Sequence, residues 1–266
     1  MKKLSVILIM FICANISFAQ INSADCQNKM DFLNDNVDLF AFSFVGQVSE
    51  IKILEKFPTS EPPSERTTTI KFDDTGKITE TFLTNDRIKV FGRTVYSYDD
   101  QNRIIKKTLY NPDGSAVSEY VFGYNSSGNL EYRAAQNAVT KKITSKTEYK
   151  YESAKSYSQY SDGKFVRRIR FTKDKKCRII ETNMYKEEDK LENRSTTSFD
   201  DKDNITEQIV YSPSGSVIEK TKYEYEYDDK GNWIKQNIYE WTFRDGNAPY
   251  QLTITKQRTI TYRNSK

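Results

Sequence analysis

Three groups of residues have the types and spacing to do chemistry, and one missing residue type limits what that chemistry could be. The chain contains no histidine. That removes the usual general base, the usual activator of a nucleophile and the commonest metal ligand together. The first group is a set of acidic pairs, Asp73-Asp74, Asp99-Asp100, Asp200-Asp201 and Asp228-Asp229. Clustered carboxylates can ligate calcium. Neighbouring turn residues seldom face each other as acid and base, however, and an aspartate in a turn accepts hydrogen bonds from its own backbone two residues on. We read these pairs as turn chemistry and expect no metal and no cofactor.

The second group is basic: Arg167, Arg168, Arg170, Lys173, Lys175, Lys176 and Arg178, opposed only by Asp174. Such a stretch could attract an anionic envelope polymer. It would equally keep an exposed strand soluble and guard it against edge pairing. The third group is aromatic: Trp233, Tyr239, Trp241, Phe243 and Tyr250. Aromatics stack on sugars and anchor interfaces, or they fill a core. Positions 233, 235, 237, 239 and 241 share one parity, so a regular strand would put both tryptophans on one face, with Lys235 and Asn237 between them. A lysine on that face favours partial exposure. The candidate binding residues are therefore Trp233, Tyr239 and Trp241, with Arg167, Arg168 and Arg170. No pair of groups selects itself as catalytic, and the expectation is a protein that is not an enzyme.

These residues need elements to hold them. Residues 1–19 read as a cleaved secretory signal: Lys2 and Lys3, an apolar run from Leu4 to Ala14, then Ser17-Phe18-Ala19. No cysteine follows that site directly, so a lipoprotein is disfavoured. Removing the leader lowers the net charge from +4 to +2, with 39 basic and 37 acidic residues. That balance gives no argument for nucleic-acid binding. Cys26 and Cys177 remain, and an oxidising compartment permits one disulfide between them. Residues 20–45 form an N-terminal cap segment with a short helical stripe. No later segment is long and apolar enough to cross a membrane as a helix. Strands with charges on both faces, as in Arg167-Arg168-Ile169-Arg170, argue against a lipid-facing barrel.

From residue 46 to 266 the apolar period is two, and one unit recurs. Its apolar anchors are Ile78, Ile104, Leu130, Ile179, Ile205 and Trp233, spaced 26, 26, 49, 26 and 28 residues apart. The long interval holds a degenerate unit around Tyr151 to Phe165. Turns of two kinds alternate, such as Asp99-Asp-Gln-Asn102 and Asn111-Pro-Asp-Gly114. The expected fold is all-β: about eight β-hairpin units, about 16 strands, in one antiparallel meander. A flat sheet that wide is unusual because strand twist accumulates, so we expect it to coil into a spiral or solenoid-like sheet.

Tyr96-Ser-Tyr98-Asp99-Asp100-Gln-Asn102-Arg103-Ile104 and Tyr225-Glu-Tyr227-Asp228-Asp229-Lys-Gly231-Asn232-Trp233 resemble the YD repeat of Rhs-type bacterial surface and toxin proteins. The likeness spans roughly residues 46–262 and is close in two units. It implies a spiral of hairpins, which in large members forms a shell around a toxin. This array is too short for a shell, so the resemblance implies a small, toxin-free member. The expected function is a secreted or periplasmic binding or structural protein that recognises a cell-envelope glycan or protein. Two alternatives stand beside it. One is a carboxylate-dependent hydrolase of cell-wall or polysaccharide material. The other is a chaperone or immunity-like protein that covers a partner through an open sheet edge.

Overall fold

The computed structural model describes residues 45–60, 62–85, 92–187, 189–242 and 249–263. The expected leader and N-terminal cap lie outside these, apart from Val45. The described chain is all strand and turn. Its elements are β1 (Val48–Phe57), β2 (Ser64–Phe72), β3 (Ile78–Asn85), β4 (Gly92–Tyr98), β5 (Ile104–Tyr110), β6 (Ala116–Tyr124), β7 (Leu130–Asn137) and β8 (Ile143–Ser153). They continue with β9 (Ser156–Ser161), β10 (Lys164–Lys173), β11 (Ile179–Lys186), β12 (Lys190–Phe199), β13 (Ile205–Tyr211), β14 (Val217–Tyr227), β15 (Trp233–Thr242) and β16 (Gln251–Tyr262).

Local chemistry at one rim explains why these strands begin and end where they do. In six turns an Asp or Asn side chain clamps the backbone. Asp99 Oδ1 accepts the N–H groups of Gln101 at 3.0 Å and Arg103 at 2.8 Å. Asp73, Asn125, Asp174, Asp200 and Asp228 repeat this pattern. The fourth residue of each turn has a positive φ. Glycine supplies it at Gly231 (86°), but Asn102 (63°) and Cys177 (66°) adopt it as well. Tyrosines then tie one hairpin to the one before. The Tyr98, Tyr124 and Tyr225 hydroxyls each donate to the anchor carbonyl 20 residues upstream, at 2.8 Å.

The sixteen strands pair antiparallel in sequence order, and β1 pairs with β16, so the sheet is a closed barrel. The expectation of a spiral or solenoid-like sheet is therefore wrong. A spiral leaves its first and last strands as edges. Here Ile51 lies opposite Ile260 and Leu54 opposite Gln257, and closure alone removes edges altogether. At about 4.8 Å per strand and about 40° of tilt, a round ring of this many strands is about 30 Å across.

The two faces of the wall differ sharply. One carries the apolar cluster of Val48, Ile51, Ile53, Ile70, Tyr96 and Phe122, among others. Ile51 and Ile70 have no exposed surface. A wall one strand thick can cover large side chains this fully only from within, so this face points inward. The opposite face alternates with it, as Lys222, Glu224 and Glu226 do with Tyr223 and Tyr225 on β14. It carries ion-paired ladders. Glu80 joins Lys71 and Arg93, each at 2.9 Å, and Glu119 joins Lys106 at 3.6 Å and Lys141 at 2.7 Å. Glu181 meets Arg194 at 3.3 Å and Glu226 meets Lys235 at 2.7 Å.

Candidate functional site

The aromatic stripe on β15 does not stay on one face. Pairing between β14 and β15 shifts at Glu226/Tyr227, so that Trp233 lies opposite Tyr227 while Lys235 lies opposite Glu226. This bulge inverts the parity on which the sequence reading relied. Trp233 turns inward, its ring 6.0 Å from that of Tyr225 and 3.0 Å beneath the guanidinium of Arg258. Beyond the bulge, Lys235, Tyr239 and Trp241 face outward. The Tyr239 hydroxyl donates to Glu224 at 2.9 Å. Lys220 lies 5.5 Å from the Trp241 ring, and Lys222 lies 4.6 Å from that of Tyr250. Tyr239, Trp241 and Tyr250 thus form an outward aromatic patch rimmed by two lysines and Glu224. Phe243 lies outside the described residues.

The basic stretch is divided as well, here by simple alternation. Arg168 and Arg170 point outward. Asp189 binds them at 2.8 and 3.0 Å, and Glu152 binds Arg168 at 2.8 Å. Arg178 is held by Asp174 and Asp203, each at 2.6 Å. An anionic polymer would have to displace carboxylates already in place. Arg167 stands apart on the inward face, where its contact is the Met184 thioether at 3.8 Å. The three arginines therefore do not form one site.

Within each acidic pair the first aspartate is the clamp and the second is an exposed turn residue, of which Asp74 pairs with Arg263. Burial pushes the Asp228 carboxyl up, but hydrogen bonds from the Tyr262 hydroxyl and the Asn232 and Lys230 amides outweigh it and hold it below the ordinary value. The same balance lowers Asp73, Asp99, Asp174 and Asp200. Glu119 is lowered chiefly by the Lys141 and Gln136 hydrogen bonds. No group of three or more metal-ligating side chains occurs among the described residues.

Cys177 is disulfide-bonded. Cys26, the partner that the sequence suggests, lies outside the described residues.

One inward residue escaped the sequence reading. Lys107 sits between two aromatic rings, its ammonium 5.7 Å from the Tyr96 centroid and 5.4 Å from that of Phe122. Burial pulls its pKa down to about 8. The signal was present in the repeat: Lys107 is the third residue after its anchor, Ile104, and that position faces inward in unit after unit.

Comparison with known proteins bears on the fold alone. No family model and no curated protein matches the sequence. Among solved structures the chain is similar to a porin-like protein from Bacteroides uniformis. The TM-score is 0.55 at 17% identity, covering 80% of this chain and 98% of that one. The class defined by fold and closure is therefore a closed, sixteen-stranded antiparallel β-barrel, a fold shared with that protein. The TcdB2–TccC3 toxin complex also aligns, with a TM-score of 0.26 at 12% identity over 70% of this chain and 13% of that chain. A likeness that weak carries no argument. The resemblance to YD-repeat, Rhs-type proteins is thus overturned: no family model supports it, and a closed porin-like barrel is not their spiral.

Proposed function

We propose that this protein is a non-catalytic binding protein of the bacterial cell envelope, secreted or periplasmic, whose barrel stands in water. On this reading it holds an envelope glycan or protein at the outward patch of Tyr239, Trp241 and Tyr250. The observation that carries the proposal is the polarity of the outer wall. A membrane barrel presents an apolar band about 25 Å tall to lipid, and a Lys or Arg there costs about 2–4 kcal/mol at mid-depth. Here the outward rows hold Lys71, Arg93, Lys106, Lys146, Arg168, Arg194 and Lys235 in ion pairs. Insertion at that depth would cost on the order of 10 kcal/mol or more.

Two further observations favour binding without catalysis or chaperoning. Each described carboxylate with a shifted acidity is held more acidic than usual. A general acid for glycoside hydrolysis needs the opposite shift. Ring closure also removes the open edge that partner-covering by strand addition would use.

The test has two arms. In detergent-phase partition the purified protein should stay in the aqueous phase; recovery in the detergent phase would overturn the water-side reading. In binding to isolated sacculi and to an envelope-glycan array, Trp241→Ala should abolish capture and leave the thermal midpoint nearly unchanged. Capture that survives the substitution would remove the patch from the proposal.

A further inference from the structure

The inner wall contains a position where the repeat sets a cation against aromatic rings. The third residue after each anchor faces inward, and in three of the six units it is neutral and hydrogen-bonded to a tyrosine hydroxyl. Thr81, three after Ile78, meets the Tyr96 hydroxyl at 3.4 Å. Gln208, three after Ile205, accepts from the Tyr223 hydroxyl at 2.7 Å. Gln236, three after Trp233, donates to the Tyr225 hydroxyl at 2.9 Å. In the unit that begins at Ile104 the same position is Lys107. The tyrosine fifteen residues further on, which Thr81 and Gln208 use, is replaced by Phe122. The ammonium faces the rings of Tyr96 and Phe122.

The neighbouring strands supply no counter-charge. Inward residues of β4 are Thr94, Tyr96 and Tyr98, and those of β6 are Ser118, Tyr120, Phe122 and Tyr124. The titratable groups among them are phenols. On β7 the inward charge is a second cation, Arg133, opposite Phe122, and on β10 the inward charges are Arg167 and Lys173. Glu131 follows the bulge at Tyr124/Leu130 and acts on outward-facing Lys146. Burial is the one cause acting on the Lys107 amine, with no carboxylate to offset it among the described residues. A half-buried cation without a counter-charge is disfavoured, and cation–π contacts return only about 0.5–2 kcal/mol.

We propose that the inner wall at Lys107 is a binding site for an amphipathic anion, with the headgroup on the Lys107 ammonium and the apolar tail along Tyr96, Tyr120 and Phe122. The proposal rests on the reading of the barrel as a water-side binding protein, but it concerns the inner wall and not the outer patch. A carboxylate or a phosphate headgroup satisfies the same chemistry.

The test is calorimetric titration of the full protein with dodecanoate, dodecyl phosphate and uncharged dodecanol below their aggregation limits. Dodecanoate or dodecyl phosphate should bind at least tenfold more tightly than dodecanol, and whichever binds better identifies the headgroup. Lys107→Met should erase that difference and leave dodecanol binding unchanged. Lys107→Arg should retain it. Between pH 7 and pH 9.5 the wild type should lose at least tenfold in affinity for the anion as the amine deprotonates. Lys107→Arg should not, which keeps the test valid if the methionine variant fails to fold. Equal affinity for anion and alcohol, no binding of either, or an unchanged pH profile in the arginine variant relative to wild type would overturn the site. A protein that binds no anion yet stays in the aqueous phase and captures sacculi leaves the outer-patch proposal standing.

Discussion

Asp228 and Asp229 are adjacent, identical in type and close to the seam of the ring, yet replacing them by alanine should have very unequal consequences. Asp228 Oδ1 accepts the amide hydrogens of Lys230 at 3.0 Å and Asn232 at 2.8 Å, and its Oδ2 accepts the Tyr262 hydroxyl at 2.6 Å. Asn232, held in place by that turn, in turn grips Val45 through both its carbonyl and its amide, at 2.8 and 2.9 Å, and donates to Tyr262 at 2.6 Å. Hydrogen bonds to a charged acceptor contribute about 1.5–3 kcal/mol each when buried. Water replaces part of that at an exposed rim. Two amide bonds and one hydroxyl bond then sum to about 3 kcal/mol for Asp228→Ala. Asp229→Ala should stay within about 0.5 kcal/mol, as surface changes do. Asp228→Asn should cost about 1 kcal/mol, because Asn125 clamps Ser127 and Asn129 in the same way, each at 3.0 Å. Urea unfolding followed by tryptophan fluorescence reads this directly. With a slope of about 2–3 kcal/mol/M, Asp228→Ala lowers the midpoint by about 1 M or more. Equal midpoints for the two alanine variants would refute the clamp as the reason the first aspartate recurs.

The same clamps set an acid limit. Their folded-state pKa values lie below the unfolded value of about 3.9, so the unfolded chain binds more protons as pH falls. The stability they confer is complete above about pH 5 and is lost as pH drops through the folded values; unfolding midpoints that stay flat from pH 6 to pH 3 would contradict this. At Gly123 an added Cβ would lie 2.1 Å from the Tyr132 ring, so Gly123→Ala should cost about 1–3 kcal/mol, and that cost should largely vanish when Tyr132→Ala is already present. We propose that Cys177 pairs with Cys26: Cys26→Ser should leave Cys177 open to maleimide labelling without reductant, and labelling of both thiols in the unreduced wild type would exclude the bond.

Much of the strand order was legible because turn chemistry is local. An aspartate, a residue tolerant of positive φ three positions on and an apolar anchor after it mark each rim turn without help from the rest of the chain. Closure was not legible. It depends on β1 meeting β16, whose paired residues Ile51 and Ile260 are about as far apart as this sequence allows. The split of Arg167 from Arg168 and Arg170 was readable from parity alone. The inversion at Trp233 was not, because a bulge adds a residue without changing composition. Lys107 could have been found by aligning the units and asking which inward positions carry a cation, as Lys107 and Arg133 do.

The seam also governs how the chain reaches its native state. Hairpin contacts close loops of a few residues, whereas the β1–β16 contact closes one of about 200, which adds about 3.5 kcal/mol of chain entropy. Pairing within the hairpins can therefore precede the seam, leaving an open sheet with two free edges of matching register. Such an edge accepts β16 of a second chain as readily as its own. Ring closure, independent of concentration, then competes with exchange between chains, which rises with concentration. Refolding yield should fall as protein concentration rises, and the lost material should be domain-swapped dimer whose subunits each keep all their hairpins.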